Sequence, residues 1–143
     1  MNLFYFLCSM TIAEAIKLFL ATLKDEYDEG ELIDHVDGST VEETEHMLAT
    51  RLYHNTARVH FNAHAERAGR FGKRIVYGGH VISVARALSF AGLENAWFVS
   101  AINGGRHVAP CFAGDTVYAW SKVISKVPVH GLPWGALRIQ TIA

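Results

Sequence analysis

Apolar residues in Thr11–Leu23 recur as Ile12, Ala15, Ile16, Phe19, Leu20 and Leu23, with Glu14 and Lys17 facing away. That spacing predicts an amphipathic helix. A charged DEYDEG loop follows, then a short strand through Leu32-Ile33 and Val36, with a turn at Asp37-Gly38. Thr40-Val41-Glu42-Glu43 has the spacing of a capping box and predicts a helix from Val41 to about Tyr53, with Met47, Leu48 and Leu52 inward. A short helical piece is expected over Ala63–Gly69, a loop at Gly69-Arg70-Phe71-Gly72, and an extended piece at Arg74-Ile75-Val76. Gly79–Ala91 is apolar nearly all round, the mark of a central helix.

Beyond Ala91 the pattern changes period. Val117 to Val123 alternates strictly, and AWFVSAINGG and WGALRIQTIA are rich in strand formers. Pro110 and Gly114-Asp115 punctuate these segments. One strand, several helices and at least three strands form an α+β order. The economical arrangement wraps an antiparallel sheet around the helix Gly79–Ala91.

The chain has 143 residues, half of them apolar and 19% charged, which fits one packed domain. A net charge of −1 gives no electrostatic reason to expect nucleic acid or an anionic membrane. Positive charge nevertheless gathers in the middle third, from Arg58 to Arg106, which suits a small phosphorylated or carboxylated ligand. Cys8 and Cys111 have no CxxC neighbour, so a disulfide framework is not implied and a reducing cytoplasm is expected. MNLFYFLCSM lacks a positive n-region and a cleavage site, so no signal peptide is expected. Extended to Leu23 it reaches spanning length, but Glu14 and Lys17 would sit near the bilayer centre.

The candidate chemistry lies between Tyr53 and Leu88. His60 can take and return a proton near neutral pH, or serve as a hydrogen-bonded structural histidine. Asn55 suits a helix cap equally well as a polar contact. Gly78 and Gly79 can present backbone N–H groups to a polarised carbonyl, or simply turn the chain into the helix. Arg58, His64, Lys73, Arg74 and Arg106 are candidates for anionic groups. His60 and His64 are spaced i, i+4, but no HExxH or third ligand accompanies them, so no metal is expected. Cys111 reads as core.

Four segments carry a family resemblance: LIDHVDGSTVEETEH, ATRLYHNTARVHFNAHAERAGRFGKRIVYGGHVISVARALSF, AINGGRHVAPCFAGDTVYAWS and GALRIQTIA. They resemble the MaoC-like, (R)-specific enoyl-CoA hydratases, and within that group the C-terminal half of the mesaconyl-CoA (2-methylfumaryl-CoA) hydratases. The resemblance implies a hot-dog domain over 27–143; the apolar helical leader expected at 1–26 does not share it. It implies reversible hydration of an enoyl thioester, mesaconyl-CoA to β-methylmalyl-CoA, with no cofactor beyond the substrate's own CoA. Matched by position, His60 is the catalytic histidine, Phe71-Gly72 the phenylalanine-glycine loop, and Tyr77-Gly78 takes the place of a His-Gly. Arg58, Arg106, Tyr77 and Phe71 are then expected to bind substrate, and Gly78 and Gly79 to polarise the thioester. The family's aspartate position is Asn55 here, and an amide cannot exchange protons as a carboxyl group does.

The resemblance also implies a double hot-dog, of which this sequence supplies one unit that stops in an unfinished strand at Ile142-Ala143. A homodimer, or pairing with a second hot-dog domain, is the expected assembly. Two alternatives stay open: a non-catalytic acyl-CoA-binding module or fragment, and a hot-dog thioesterase.

Overall fold

The computed structural model describes residues 15–21, 26–130 and 134–143. The elements run β1 (Ala15–Ala21), β2 (Leu32–Thr40), α1 (Glu43–Leu52), α2 (Arg58–Phe61), α3 (Ala63–Glu66), α4 (Gly78–Leu88), β3 (Ala96–Ile102), β4 (Thr116–Pro128) and β5 (Gly135–Ile142). The strands form one antiparallel sheet in the order β2-β4-β5-β1-β3. The helix α4 packs on β4 and β2. The α+β expectation of a sheet around a central helix therefore stands.

The first element differs from expectation. Ala15–Ala21 is a strand, not part of a helix, and it lies inside the sheet between β5 and β3. An apolar run with few charges suits either a buried helix or an interior strand, and pairing on both sides decides for the strand. The remainder of the expected leader, 1–14 and 22–25, lies outside the described residues. Two strands therefore precede the helices, not one.

The β2 segment is also longer than expected. It runs through Asp37-Gly38 without turning, and its register against β4 shifts between Asp34 and Gly38. Val36 takes a positive φ of 61° there, and its N–H donates to Asp34 Oδ1 at 3.1 Å. This is a bulge within the strand. A Cβ at Gly38 would fall 2.6 Å from the Tyr118 ring on β4, so the glycine lets that ring lie across the strand. The capping box is likewise not formed. Thr40 Oγ1 instead pairs with Thr116 Oγ1 across the strands at 2.8 Å, and α1 starts after Glu42 without a side-chain cap. On α1, His46 and Thr50 are the buried residues, whereas Leu48 and Leu52 are each 64% exposed. The Thr50 hydroxyl donates to the His46 carbonyl at 2.8 Å, which lets a polar residue occupy the inner face.

Two clusters hold most of the buried apolar side chains among the described residues. Ile33, Val123, Leu137 and Ile139 from the sheet close over Tyr27 and Leu93. Val41, Val76, Val81, Cys111 and Val117 fill the space between α4 and β4. Cys111 is buried, and burial followed by the nearby Asp115 pushes its thiol up to about 11, so it packs as core and is unreactive at neutral pH. Among the described residues no helix is long and apolar enough to cross a membrane.

Candidate active site

His60 lies in the one-turn helix α2. Its Nδ1 is 3.0 Å from the Ile75 carbonyl oxygen. A carbonyl has no hydrogen to give, so Nδ1 carries the proton and Nε2 keeps its lone pair. The Ile75 N–H in turn donates to the Val59 carbonyl at 3.2 Å, tying the extended piece before α4 to α2. The ring of His60 stands edge-on to Tyr77, centroids 5.9 Å apart. Tyr77 is the residue preceding α4, and its own side chain makes no capping hydrogen bond there. The first N–H groups of a helix point outward along its axis. The fold thus brings together His60, Tyr77, Gly78 and Gly79.

Asn55 is used locally. Its Oδ1 accepts from the Ala57 N–H at 2.8 Å, and its own N–H donates to the Thr50 carbonyl at 3.0 Å. It lines a cleft of about 440 Å³ with Thr50, Arg51, His54 and Phe61. Arg58 Nε lies 3.4 Å from Glu66 Oε1, so this candidate anion binder already has a carboxylate. Phe71 packs edge-on to Phe112 at 5.6 Å. Arg106 is exposed on the loop after β3. Arg67, Lys73 and Arg74 border a cleft of about 280 Å³ that Glu43 also lines. His60 and His64 do not share a helix, because Asn62 ends α2 and its Oδ1 caps α3 through the Ala65 N–H at 3.0 Å. Among the described residues, no three potential metal-ligating side chains converge.

Three further histidines surround this region, and none was singled out by sequence. His80, in the first turn of α4, places Nε2 3.1 Å from Glu45 Oε1 on α1. His46 is almost fully buried, and its Nδ1 has no hydrogen-bond partner among the described residues. Its pKa is lowered by burial first, then by His80 and His60. His107 lies against Gly78: a Cβ on Gly78 would fall 2.3 Å from its Cε1. Their signal in the sequence is faint, because the contacts span loops and not a short motif.

The lowered pKa of His46 has a consequence for stability. The unfolded chain binds this proton with an ordinary pKa of about 6.5, the folded chain only at lower pH. Between those values the unfolded state holds more protons, so stability is present above the unfolded pKa and falls as pH drops. The groups facing His46 are His80 on α4, His60 on α2 and Glu43 one turn away, with Glu43 Oε2 3.8 Å from its Nε2. Thermal unfolding at pH 7.5 and pH 5.5 is expected to show a smaller acid loss in His46→Leu than in the unaltered chain. An identical loss in both would assign the acid sensitivity elsewhere.

No family model matches the chain. It is 65% identical over 122 residues to a protein of Chloroflexus aurantiacus named beta-methylmalyl-CoA dehydratase, covering 85% of this chain and 35% of that protein. It is 58% identical over 118 residues to mesaconyl-CoA hydratase of Cereibacter sphaeroides, covering 82% and 34%. The crystal structure of a putative MaoC domain protein dehydratase from Chloroflexus aurantiacus superposes with a TM-score of 0.79 at 65% identity, over 82% of this chain and 34% of the other. The chain has the hot-dog fold of the MaoC-like dehydratases. A MaoC-like dehydratase from Rhodospirillum rubrum, only 17% identical, shares that fold with a TM-score of 0.60. The hot-dog chain spans about a third of the length of the curated relatives it matches.

Proposed function

We propose that this hot-dog domain carries a hydratase site that adds water reversibly to an enoyl-CoA, with mesaconyl-CoA giving β-methylmalyl-CoA as the reaction. The observation that carries the reading is the juxtaposition of His60, whose Nδ1 faces the Ile75 carbonyl, with Tyr77 and the first turn of α4. Its likeness to two enzymes named for this interconversion supports the choice of substrate.

In hydration, His60 Nε2 takes a proton from water as the oxygen bonds to Cβ. The electron pair of the double bond moves onto Cα and the thioester oxygen. The N–H groups of Gly78 and Gly79 stabilise that oxygen. His60 then returns its proton to Cα, so the balance is one water added and no cofactor consumed. With Asn55 Oδ1 held by Ala57, its amide nitrogen is the group that would orient the water. Arg58 is engaged by Glu66, which makes Arg106 the better partner for a substrate carboxylate. The cleft bordered by Arg67 and Lys73 suits the CoA phosphates, while Arg74 on its wall is paired with Glu43 and donates to the Phe61 carbonyl. Tyr77 would contact the acyl group, and Phe71 would hold the loop beside Phe112. A homodimer or a second hot-dog domain would complete the unit, in the cytoplasm.

The second reading, an acyl-CoA-binding module without turnover, is favoured by one observation: the Oδ1 of Asn55 is spent on a turn. Loss of the enoyl-thioester absorbance on adding the purified chain to mesaconyl-CoA tests the choice. Binding without that loss would favour the module, and release of free thiol would favour a thioesterase.

A further inference from the structure

We propose that Arg51, His54 and the Asn55 amide form a cleft that holds the free carboxylate of the acyl group, and that this cleft sets a preference for dicarboxylic acyl thioesters. The inference deepens the hydratase reading and rests on its choice of substrate.

The cleft is built by the way α1 ends. The His54 N–H donates to the Arg51 carbonyl at 3.1 Å, and the Asn55 N–H to the Thr50 carbonyl at 3.0 Å. This is the Schellman pattern, in which the residue just past the helix cap turns left-handed and is usually glycine. Here that residue is His54, with a φ of 50°. A histidine held where glycine is favoured points to a use for its ring. The turn gathers Arg51, His54 and Asn55 around a cleft of about 440 Å³, with Thr50 and Phe61 on its walls. Asn55 Oδ1 accepts from the Ala57 N–H, so Nδ2 is the donor its side chain offers. Guanidinium, imidazole and amide each carry N–H groups, and an anion is what complements them. Among the described residues no carboxylate lines this cleft, and Arg51 forms no ion pair. By contrast, Glu43 lines both of the clefts that Arg74 borders.

The chemistry of the substrate requires an anion site in this place. In mesaconyl-CoA the free carboxylate is bonded to Cβ, the carbon that water attacks. With Asn55 orienting that water, the carboxylate has to lie beside Asn55, where Arg51 and His54 also stand. As His60 removes a proton, the water oxygen gains negative charge next to the carboxylate. A guanidinium there offsets the repulsion between them. The two amide hydrogens of Asn55 can serve the water and one carboxylate oxygen. A carboxylate offers about four acceptor sites, so Arg106 can share it with Arg51. The acyl end thus has a cationic cleft of its own, lined by different residues from the one that suits the CoA phosphates.

The test compares 2-methylsuccinyl-CoA with 2-methylbutanoyl-CoA by isothermal titration calorimetry. Both are saturated and cannot be hydrated, and they differ only in a carboxylate against a methyl group. The unaltered chain should bind the carboxylate thioester about tenfold more tightly. That is the lower end for a charge-assisted pair, because Arg51 is exposed. Arg51→Gln should erase most of the preference by weakening 2-methylsuccinyl-CoA and leaving 2-methylbutanoyl-CoA unchanged. His54→Gly should reduce the preference while melting at an equal or higher temperature, since glycine takes the left-handed turn without a Cβ. That pairing separates a lost ligand contact from a damaged fold. A preference kept intact in both variants would overturn the cleft and leave acyl-CoA binding standing. Equal weakening of both thioesters by Arg51→Gln would place Arg51 with the CoA phosphates and overturn its role at the acyl end. Equal binding of the two by the unaltered chain would mean that no carboxylate site exists. Failure of the unaltered chain to bind either thioester would overturn the hydratase reading, and this assignment with it.

Discussion

Replacing His60 with alanine is expected to lower kcat for hydration of mesaconyl-CoA about 10²–10⁴-fold, the usual contribution of a positioned general acid–base. The expectation follows from how the ring is held. Nδ1 is committed as a donor to the Ile75 carbonyl at 3.0 Å, and Tyr77 fixes the ring plane from the side. In the neutral ring Nε2 is then the nitrogen left to accept the proton in this reading. His60→Gln makes the comparison sharper. A glutamine amide can still donate to Ile75, but it cannot carry a proton between water and Cα. Both variants should therefore lose the rate, while glutamine should unfold closer to the temperature of the unaltered chain. The measurements are the decay of enoyl-thioester absorbance and a thermal melt. A rate near that of the unaltered chain in either variant would remove His60 from the mechanism.

The neighbourhood of His60 was legible in the sequence because its neighbours in space are neighbours in the chain. Ile75, Tyr77, Gly78 and Gly79 all follow within twenty residues, and the short spacing survives as a motif. His107 was not legible for the opposite reason: its contact with Gly78 is made by a loop arriving from β3. The same division holds for the fold. Alternation over Val117–Val123 becomes β4, because one face meets the core and the other does not. The apolar helix is found nearly where its pattern places it, at Gly78–Leu88. Ala15–Ala21 is misread, because an interior strand carries no period-two signal to oppose a helical one. Thr40 illustrates a local rule losing to a tertiary one: its hydroxyl is claimed by Thr116 across the sheet before it can cap a helix. Leu48 and Leu52 fall outward because α1 turns His46 and Thr50 to the interior, a choice no hydrophobicity pattern encodes.

The largest effect on stability is expected at His35, a strand residue far in sequence from the site. It is 1% exposed on β2, and both ring nitrogens are engaged. Nδ1 is 2.6 Å from the Ala91 carbonyl oxygen, which makes it the donor, and Nε2 is 2.8 Å from Ser121 Oγ on β4. In the neutral ring Nε2 accepts, so the Ser121 hydroxyl gives its hydrogen to the ring and its oxygen accepts from Thr141 on β5, 2.7 Å away. One buried chain of hydrogen bonds thus ties the end of the α4 segment to three adjacent strands. Gly92, next in the loop, takes a φ of +90°, and a Cβ there would fall 2.5 Å from Ile33. The loop therefore has little freedom to find another acceptor geometry. His35→Leu keeps apolar bulk but strands the Ala91 carbonyl and the Ser121 hydroxyl in a dry interior, each at about 1–3 kcal/mol. A net loss of about 3 kcal/mol is expected, enough to lower Tm by roughly 10 °C in a domain of this size. Ser121→Ala should cost less than His35→Leu, because it leaves the Ala91 bond in place. Combining the two should cost less than their sum, since each already breaks the bond they share. Simple additivity in chemical denaturation of the four proteins would mean that the chain does not act as a connected unit, and that burial alone sets the cost of losing His35.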